Sequence, residues 1–306
     1  METRIYCEAC DASAAVRIGR TSFFAAASDE DNILRVFDRK RPGTPIARLD
    51  VTPFLELDDP EHPEADLEGA AIIGDRIYWI GSHGRSSKGK ERKVRRRLFA
   101  TTVRHDDDRV ELEPVGIPYK RLIKDLLTAE ALAHFGIDDL EGRSPEEPGA
   151  INIEGLAATP DGQLLIGFRN PIPQGRALIV RMANPAAVVE GRERAVLHLG
   201  GHLDLGGRGI RAIEYIPASS TYLVIAGAHD DSGNFAMYHW NGTARHAPVH
   251  LAVEGLDTIN PEELALAGIG PVDLLVDVFS DDGTSRCKNV AVARRTFRGT
   301  TLPVRI

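Results

Sequence analysis

A phrase recurs along this chain, and it limits the possible folds more than any other feature. It reads Asp66-Leu67-Glu68-Gly69-Ala70-Ala71, then Asn152-Ile153-Glu154-Gly155-Leu156-Ala157-Ala158. A third copy is Gly209-Ile210-Arg211-Ala212-Ile213, and a fourth is Asn260-Pro261-Glu262-Glu263-Leu264-Ala265. After each come a tight turn, such as Pro160-Asp161-Gly162, an apolar run, a polar loop and a further strand-like run. The apolar runs include Arg76–Ser82, Gln163–Arg169, Thr221–Ala228 and Asp273–Ser280, and Thr21–Ser28 belongs to a weaker fifth copy spanning Ala12 to Val51. The further runs are Arg96–Val103, Arg176–Met182, Asn234–Trp240 and Asn289–Thr296. All read as strands bounded by turns. They are nearly continuous in apolar residues rather than alternating, so both faces of each strand are buried, as when sheets stack against sheets.

A unit of roughly 50 residues holding four short antiparallel strands is the signature of a propeller blade. The expected fold class is therefore all-β: a β-propeller, with five blades counted and a sixth, degenerate one as the variant. A large β-sandwich is the competing architecture, and it lacks such a recurring phrase. One stretch departs from the pattern. From Pro118 to Phe135 the apolar residues Leu122, Ile123, Leu126, Leu127, Ala131, Leu132 and Phe135 fall at helical spacing, with Gly136 placed to cap the end. An acidic loop, Asp138 to Pro148, follows. The chain thus reads as one propeller domain, 1–306, with a helical insertion at 117–150.

Composition removes whole classes of function. No apolar run approaches the roughly 20 residues of a membrane span, and the start lacks the basic-then-apolar layout of a secretory signal. Three cysteines cannot build a disulfide framework, so a reducing cytoplasm is the expected compartment. With 45 acidic residues against 37 basic ones the net charge is −8, which disfavours a nucleic-acid partner. The exception is Lys88–Arg97, with seven basic residues and one acid. This hairpin carries no interleaved aromatic residues for base stacking, so it reads as a solvated loop, or as a contact for a protein partner or a steering charge for anions. Cys7-Glu8-Ala9-Cys10 has the spacing of half a zinc knuckle whose other half is missing. Leu199-Gly200-Gly201-His202 and Leu205-Gly206-Gly207-Arg208-Gly209 open no predicted helix, so they read as connections between blades rather than phosphate cradles. No Gly-x-Ser-x-Gly elbow is present.

Propeller geometry orders the loops. The first strand of each blade lines the channel, so the segments entering it share a face with the loops joining second strands to third. Those loops contain Ser28-Asp29-Glu30-Asp31, Ser82-His83-Gly84-Arg85, Arg169-Asn170-Pro171, His229-Asp230-Asp231-Ser232 and Ser280-Asp281-Asp282. Glu68, Glu154 and Glu262 occupy one repeat position, and Arg211 occupies it in the fourth copy. Three carboxylates and a guanidinium facing one another would form an ion-pair ring, or the carboxylates would hold Ca²⁺ or Mg²⁺, hard ions that take oxygen ligands. A residue repeated blade after blade also does a blade's structural work. The residues unique to one copy, His83, Arg85, Arg169, Asn170, His229 and Asp230, are the candidates for chemistry. Arg85, Arg169 and Arg211, with His83 and Asn170, would bind a small anionic ligand, and His229 would act as acid or base beside Asp230.

The combination Asp66-x-Glu68-Gly69-Ala70, Ser82-His83-x-Arg85, Asn152-x-Glu154-Gly155-Leu156 and Phe168-Arg169-Asn170-Pro171 resembles a bacterial family known as domain of unknown function 3616. That resemblance implies no activity. The Glu-Gly-Leu-Ala phrase is also similar to the inner strand of esterase-like phytase propellers, which implies ester or phosphoester hydrolysis with bound Ca²⁺; Arg211 departs from it at one ligand position. Three functions stay open: a hydrolase of small anionic esters at the channel mouth, a ligand-binding propeller without turnover, and a scaffold using the basic hairpin and the helical insertion.

Overall fold

The computed structural model describes residues 1–306 except 58, 107, 108, 138–141, 231, 245, 271, 272, 282, 284–286, 288 and 289. Part of the predicted acidic loop, along with Asp231, Asp282 and the Asn289 strand start, lies outside the described residues. Five four-stranded antiparallel sheets form the body. The first blade is β2 (Ala14–Arg17), β3 (Phe23–Ala27), β4 (Ile33–Asp38) and β5 (Ala47–Asp50). The second is β6 (Leu67–Ile73), β7 (Arg76–Gly81), β8 (Leu98–His105) and β9 (Val110–Tyr119). The third is β10 (Asn152–Ala158), β11 (Leu164–Asn170), β12 (Ala177–Met182) and β13 (Leu197–Leu203). The fourth is β14 (Gly209–Ile216), β15 (Thr221–Gly227), β16 (Ala236–Trp240) and β17 (Val249–Leu251). The fifth is β18 (Pro261–Ile269), β19 (Leu274–Ser280), β20 (Thr296–Val304) and, from the other end of the chain, β1 (Glu2–Cys7). The inner strands β2, β6, β10, β14 and β18 adjoin one another in a closed ring, which makes this a five-bladed β-propeller. The middle strands are buried on both faces because each blade packs between two others: β11 is buried along its whole length.

Closure joins the two ends of the sequence. β1 pairs with β20 from Glu2↔Thr301 to Cys7↔Thr296, and the seam beneath is aromatic. Tyr6, Phe24, Phe37, Phe279 and Phe297 are all buried there, with Phe24 stacked on Phe279 at 4.8 Å and Tyr6 on Phe297 at 5.3 Å. Each such ring removes apolar surface worth about 1.5–3 kcal/mol from water. A Cys10–Cys287 disulfide ties the segment entering β2 to the β19–β20 loop. The cysteines were expected to stay reduced; two of them meet because closure brings positions 277 residues apart to 6.0 Å between Cα atoms. Cys7 is the remaining free thiol, so no half-knuckle forms.

The predicted helix is shorter than its apolar spacing suggests. α1 is a single turn, Thr52–Leu55. α2 runs from Leu122 to Thr128, Ala129 is extended at φ −73° and ψ 110°, and Glu130–Phe135 continues as a 3₁₀ turn ended by Gly136 at φ 63°. Leu122, Ile123, Leu126, Leu132 and Phe135 all bury into one core between the second and third blades, so tertiary packing holds the spacing across the break. Buried Asp125 fixes α2 by accepting from the Tyr119 hydroxyl and the Arg194 guanidinium. The first of the two glycine stretches also resolves differently from expectation, while the second is the connection between blades that was expected. Gly200 and Gly201 lie inside β13, where a Cβ at Gly200 would sit 2.9 Å from Ile179 at a bulge between β12 and β13. The second stretch is the turn into β14. No helix among the described residues is long and apolar enough to cross a membrane.

Candidate functional site

The leading ends of the inner strands and the loops after the second strands converge on one mouth of the channel. Their cavity measures about 410 Å³, and a side lobe of about 380 Å³ shares Asp29, Glu68, Glu146, Glu154 and Arg169 with it. Glu68, Glu154, Arg211 and Glu262 all line the main cavity, each from the start of its strand. β14 can begin this close to the third blade because position 209 is glycine: a Cβ there would lie 1.9 Å from the Arg169 carbonyl oxygen.

The four repeat-position residues divide into two groups. Glu154 is the hub of a buried network. Its Oε1 accepts from Arg169 Nη1 at 2.9 Å and Asn152 Nδ2 at 3.0 Å, and its Oε2 lies 3.2 Å from Arg211 Nε. Arg211 also pairs with Glu262 and lies 5.8 Å over the Phe235 ring. Arg169 further donates to the Ala228 carbonyl at 3.1 Å. Burial raises Glu262 to about 8, against the pull of Arg211 and with the push of Glu154.

Glu68 belongs to the second group. It makes no hydrogen bond or ion pair among the described residues, and neither does Asp29. Their oxygens and one of Asp66 lie within 4.8 Å of each other. Burial pushes Glu68 well above the ordinary carboxylate range, and Glu154, Asp66 and Asp29 add to the effect; Asp29 is pushed the same way by burial and then by Asp11 and Asp66. Asp66 is held in the left-handed region at φ 56°, with Ser82 donating to it and Arg95 paired at 3.0 Å. A hard divalent ion bound at 2.3–2.6 Å (the ordinary range for Ca²⁺) would fit between three such oxygens.

The residues singled out for chemistry fare unequally. Arg169, Arg211 and Asp230 line the cavity; His83, Arg85, Asn170 and His229 do not. His83 is buried, donates from Nδ1 to the Gly81 carbonyl at 2.8 Å and leaves Nε2 without a partner; burial lowers it to about 4, so it is neutral. Arg85 turns to the Gly89 carbonyl. Asn170 tethers the 145–149 loop through the carbonyls of Pro145 and Glu147, which brings Glu146 over the site. His229 is half-buried outside the lining, and no hydrogen bond to Asp230 is present; Asp230 instead accepts from Ser232, which lowers it. The basic hairpin is structural in part. Arg97 is buried and donates to the carbonyls of Leu55, Glu56, Lys93 and Arg96.

Asp11, Ser13, Asp29, Asp66, Asn260 and Asp281 also line the two lobes; the sequence placed Asp29 and Asp281 on loops of this face and Asp66 and Asn260 in the repeat phrase, but none was singled out as a site residue. Most were detectable. Asp66, Asn152 and Asn260 each precede the repeat-position glutamate by two residues, and Asp11-x-Ser13 is the first blade's version. The same lock recurs in space: Ser28 donates to Asp11 at 2.8 Å as Ser82 donates to Asp66.

Comparison with solved structures finds a gluconolactonase from Xanthomonas campestris, 14% identical over 99% of this chain and 81% of that one, with a TM-score of 0.42. The sialidase of Trypanosoma rangeli is 10% identical over 88% of this chain and 42% of its own, at 0.41. The extracellular domain of a one-component system from B. thetaiotaomicron is 11% identical, and this chain covers 87% of itself but only 25% of that protein, at 0.35. No curated protein matches the sequence. A family model described as "Protein of unknown function (DUF3616)" matches residues 11–134 and 119–262, a span that carries the repeat through four of the five blades, and the chain belongs to that family.

Proposed function

We propose that the channel mouth binds a hard divalent cation, Ca²⁺ in preference to Mg²⁺, through Asp29, Asp66 and Glu68, and uses it to hydrolyse a small anionic ester. The observation that carries this reading is the triad itself: three carboxylates with oxygens inside 4.8 Å, two of them without a hydrogen-bonding or ionic partner among the described residues. Like charges held so close in a partly buried mouth are unfavourable until a cation joins them. Ca²⁺ tolerates an irregular oxygen shell, whereas Mg²⁺ demands near-octahedral geometry and keeps its waters. The ligand set differs from the one read in the sequence. Glu154 and Glu262 are engaged by Arg169 and Arg211; Asp29, and Asp66 despite its pairing with Arg95, are the carboxylates whose oxygens gather with that of Glu68, and they take the two places beside it. The bound ion would supply Lewis acidity and an electrostatic anchor for an ester oxyanion. Arg169 and Arg211 hold the neighbouring wall rigid, and Glu262 and Asp230 offer carboxyl groups on the cavity wall for proton transfer. A binder without turnover is the second reading, favoured by one observation: among the described residues no histidine lines the main cavity.

The test begins with the ion. Millimolar CaCl₂ is expected to raise the Tm of chelator-stripped protein by several degrees, with little effect on Asp29→Asn or Glu68→Gln. The pH dependence has a definite sign. Asp29 and Glu68 have folded-state pKa values raised above their unfolded ones, so the stability they contribute is present at low pH and is lost as pH rises through the raised values. The stripped protein should therefore melt lower at about pH 8 than at about pH 5, and Ca²⁺ should restore more at the higher pH. Equal Ca²⁺ shifts in wild type and both variants would remove the triad from consideration. A panel of generic phosphatase and esterase substrates, with and without Ca²⁺, then separates the hydrolase from the binder.

A further inference from the structure

The channel has a second mouth of opposite chemistry. Where the inner strands begin, the repeat places acids; where they end, it places Val16, Ala71, Ile72, Ala158, Leu266 and Ile269. The cavity there measures about 900 Å³, within the range of small-molecule sites, and all five inner strands contribute to it. Ile269 stands 64% exposed on its lip. Into these apolar walls project Arg17 and Glu214, with Arg20 exposed at the rim.

Arg17 is a positioned cation. Its Nε donates to the Thr21 carbonyl at 3.0 Å, and its Nη1 donates to the carbonyls of Leu266 and Ala267 at 3.0 and 3.1 Å. These contacts fix the guanidinium plane and neutralise none of its charge. No carboxylate among the described residues lies within ion-pair distance of it, and its Nη2 has no hydrogen-bond acceptor there. Glu214 keeps some solvent contact through the cavity, but burial raises it to about 8 against the pull of the Leu266 amide and Arg17, so it is mostly neutral at pH 7 and, like Asp277, only partly offsets the arginine charge. An apolar chamber with a fixed guanidinium matches one ligand chemistry, a carboxylate on an apolar body. Neutral Glu214 adds a donor that a carboxylate can accept from.

We infer that this second mouth binds a small carboxylic acid with an apolar chain, its carboxylate on Arg17 and its chain along the Ile72, Leu266 and Ile269 wall. The site is separate from the acidic mouth and shares no lining residue with it.

Calorimetric titration with octanoate, octanol and octylamine at pH 7 tests the assignment. Octanoate should bind roughly tenfold or more tightly than octanol, the charge-assisted pairing being the difference, and octylamine should bind worst. Arg17→Gln should erase the octanoate advantage and leave octanol binding unchanged. Because Arg17 also braces β18, a second variant guards against misfolding. A Cβ at Gly268 would meet only Leu275, at 4.0 Å, and its φ is not positive, so the backbone accepts a side chain there; Gly268 lines the chamber, and Gly268→Phe should abolish binding of both ligands. Glu68→Gln, at the other mouth, should bind octanoate as wild type does. A preference for octylamine, or octanoate binding that survives Gly268→Phe, overturns the inference.

Discussion

Arg211→Met is expected to cost about 3–5 kcal/mol of stability near pH 8, the loss typical of removing one partner from a buried ion pair. Methionine keeps much of the stem that packs beside Gly227 and Phe235 but removes the guanidinium that sits between Glu154 and Glu262. Both carboxylates are buried, and Glu262 has no other cation in bonding contact among the described residues. Glu262 already has a folded-state pKa raised to about 8 with the arginine present. Removing the cation pushes it further in the same direction. A carboxyl raised in the folded state contributes its stability at low pH and loses it as pH climbs towards the folded value, so the cost of the substitution should shrink towards pH 5. Urea unfolding at both pH values measures this. The same loss at pH 5 and pH 8, or no loss at either, would show that Arg211 does not neutralise the network. Arg211→Lys separates charge from geometry: it restores the charge but not the two-sided fork, and should recover only part of the stability.

The blades were legible because burial on both faces leaves a mark that one residue after another repeats, as in Gln163–Arg169 and Thr221–Ala228. The repeat phrase also located four lining residues of the acidic mouth, since equivalent positions on adjacent inner strands must face one another across a ring. Loop positions were less legible. His83 and Asp29 sit at comparable points of their blades, yet His83 turns back to the Gly81 carbonyl while Asp29 reaches the channel. That difference depends on the local φ, 57° at His83, which composition does not encode. Charge counting misled at the hairpin for a related reason. Arg97 is buried because four backbone carbonyls converge on it, and two of them, of Leu55 and Glu56, are distant in sequence; Arg95 is drawn inward by Asp66, which is also distant. Which strand closes the ring was not legible. The strand that completes the fifth blade is β1, and nothing local in Glu2–Cys7 specifies a partner at Thr296–Thr301.

The same closure gives the other large prediction. Removing the Cys10–Cys287 bond is expected to lower stability by about 5 kcal/mol, since a cross-link spanning 277 residues removes a large loop-closure entropy from the unfolded chain. In a domain of this size that corresponds to a Tm lower by roughly 10 °C. The folded ring should persist after reduction, because β1 still pairs along β20 and the aromatic seam of Tyr6, Phe24, Phe37, Phe279 and Phe297 still excludes water. The double variant Cys10→Ala, Cys287→Ala is the cleaner probe, since a single replacement would leave a second free thiol in addition to Cys7. Wild type treated with dithiothreitol should melt with the double variant, and dithiothreitol should leave the double variant unmoved. The bond also adjoins the acidic mouth in sequence: Asp11, which lines it, follows Cys10 directly, and Asp281, which lines it too, lies on the loop that carries Cys287. Its loss should therefore weaken Ca²⁺ binding as well as closure, without touching a ligand. Such a bond persists where the surroundings are oxidising, so a wild-type Tm indifferent to dithiothreitol would restore the reduced state that the cysteine count first suggested.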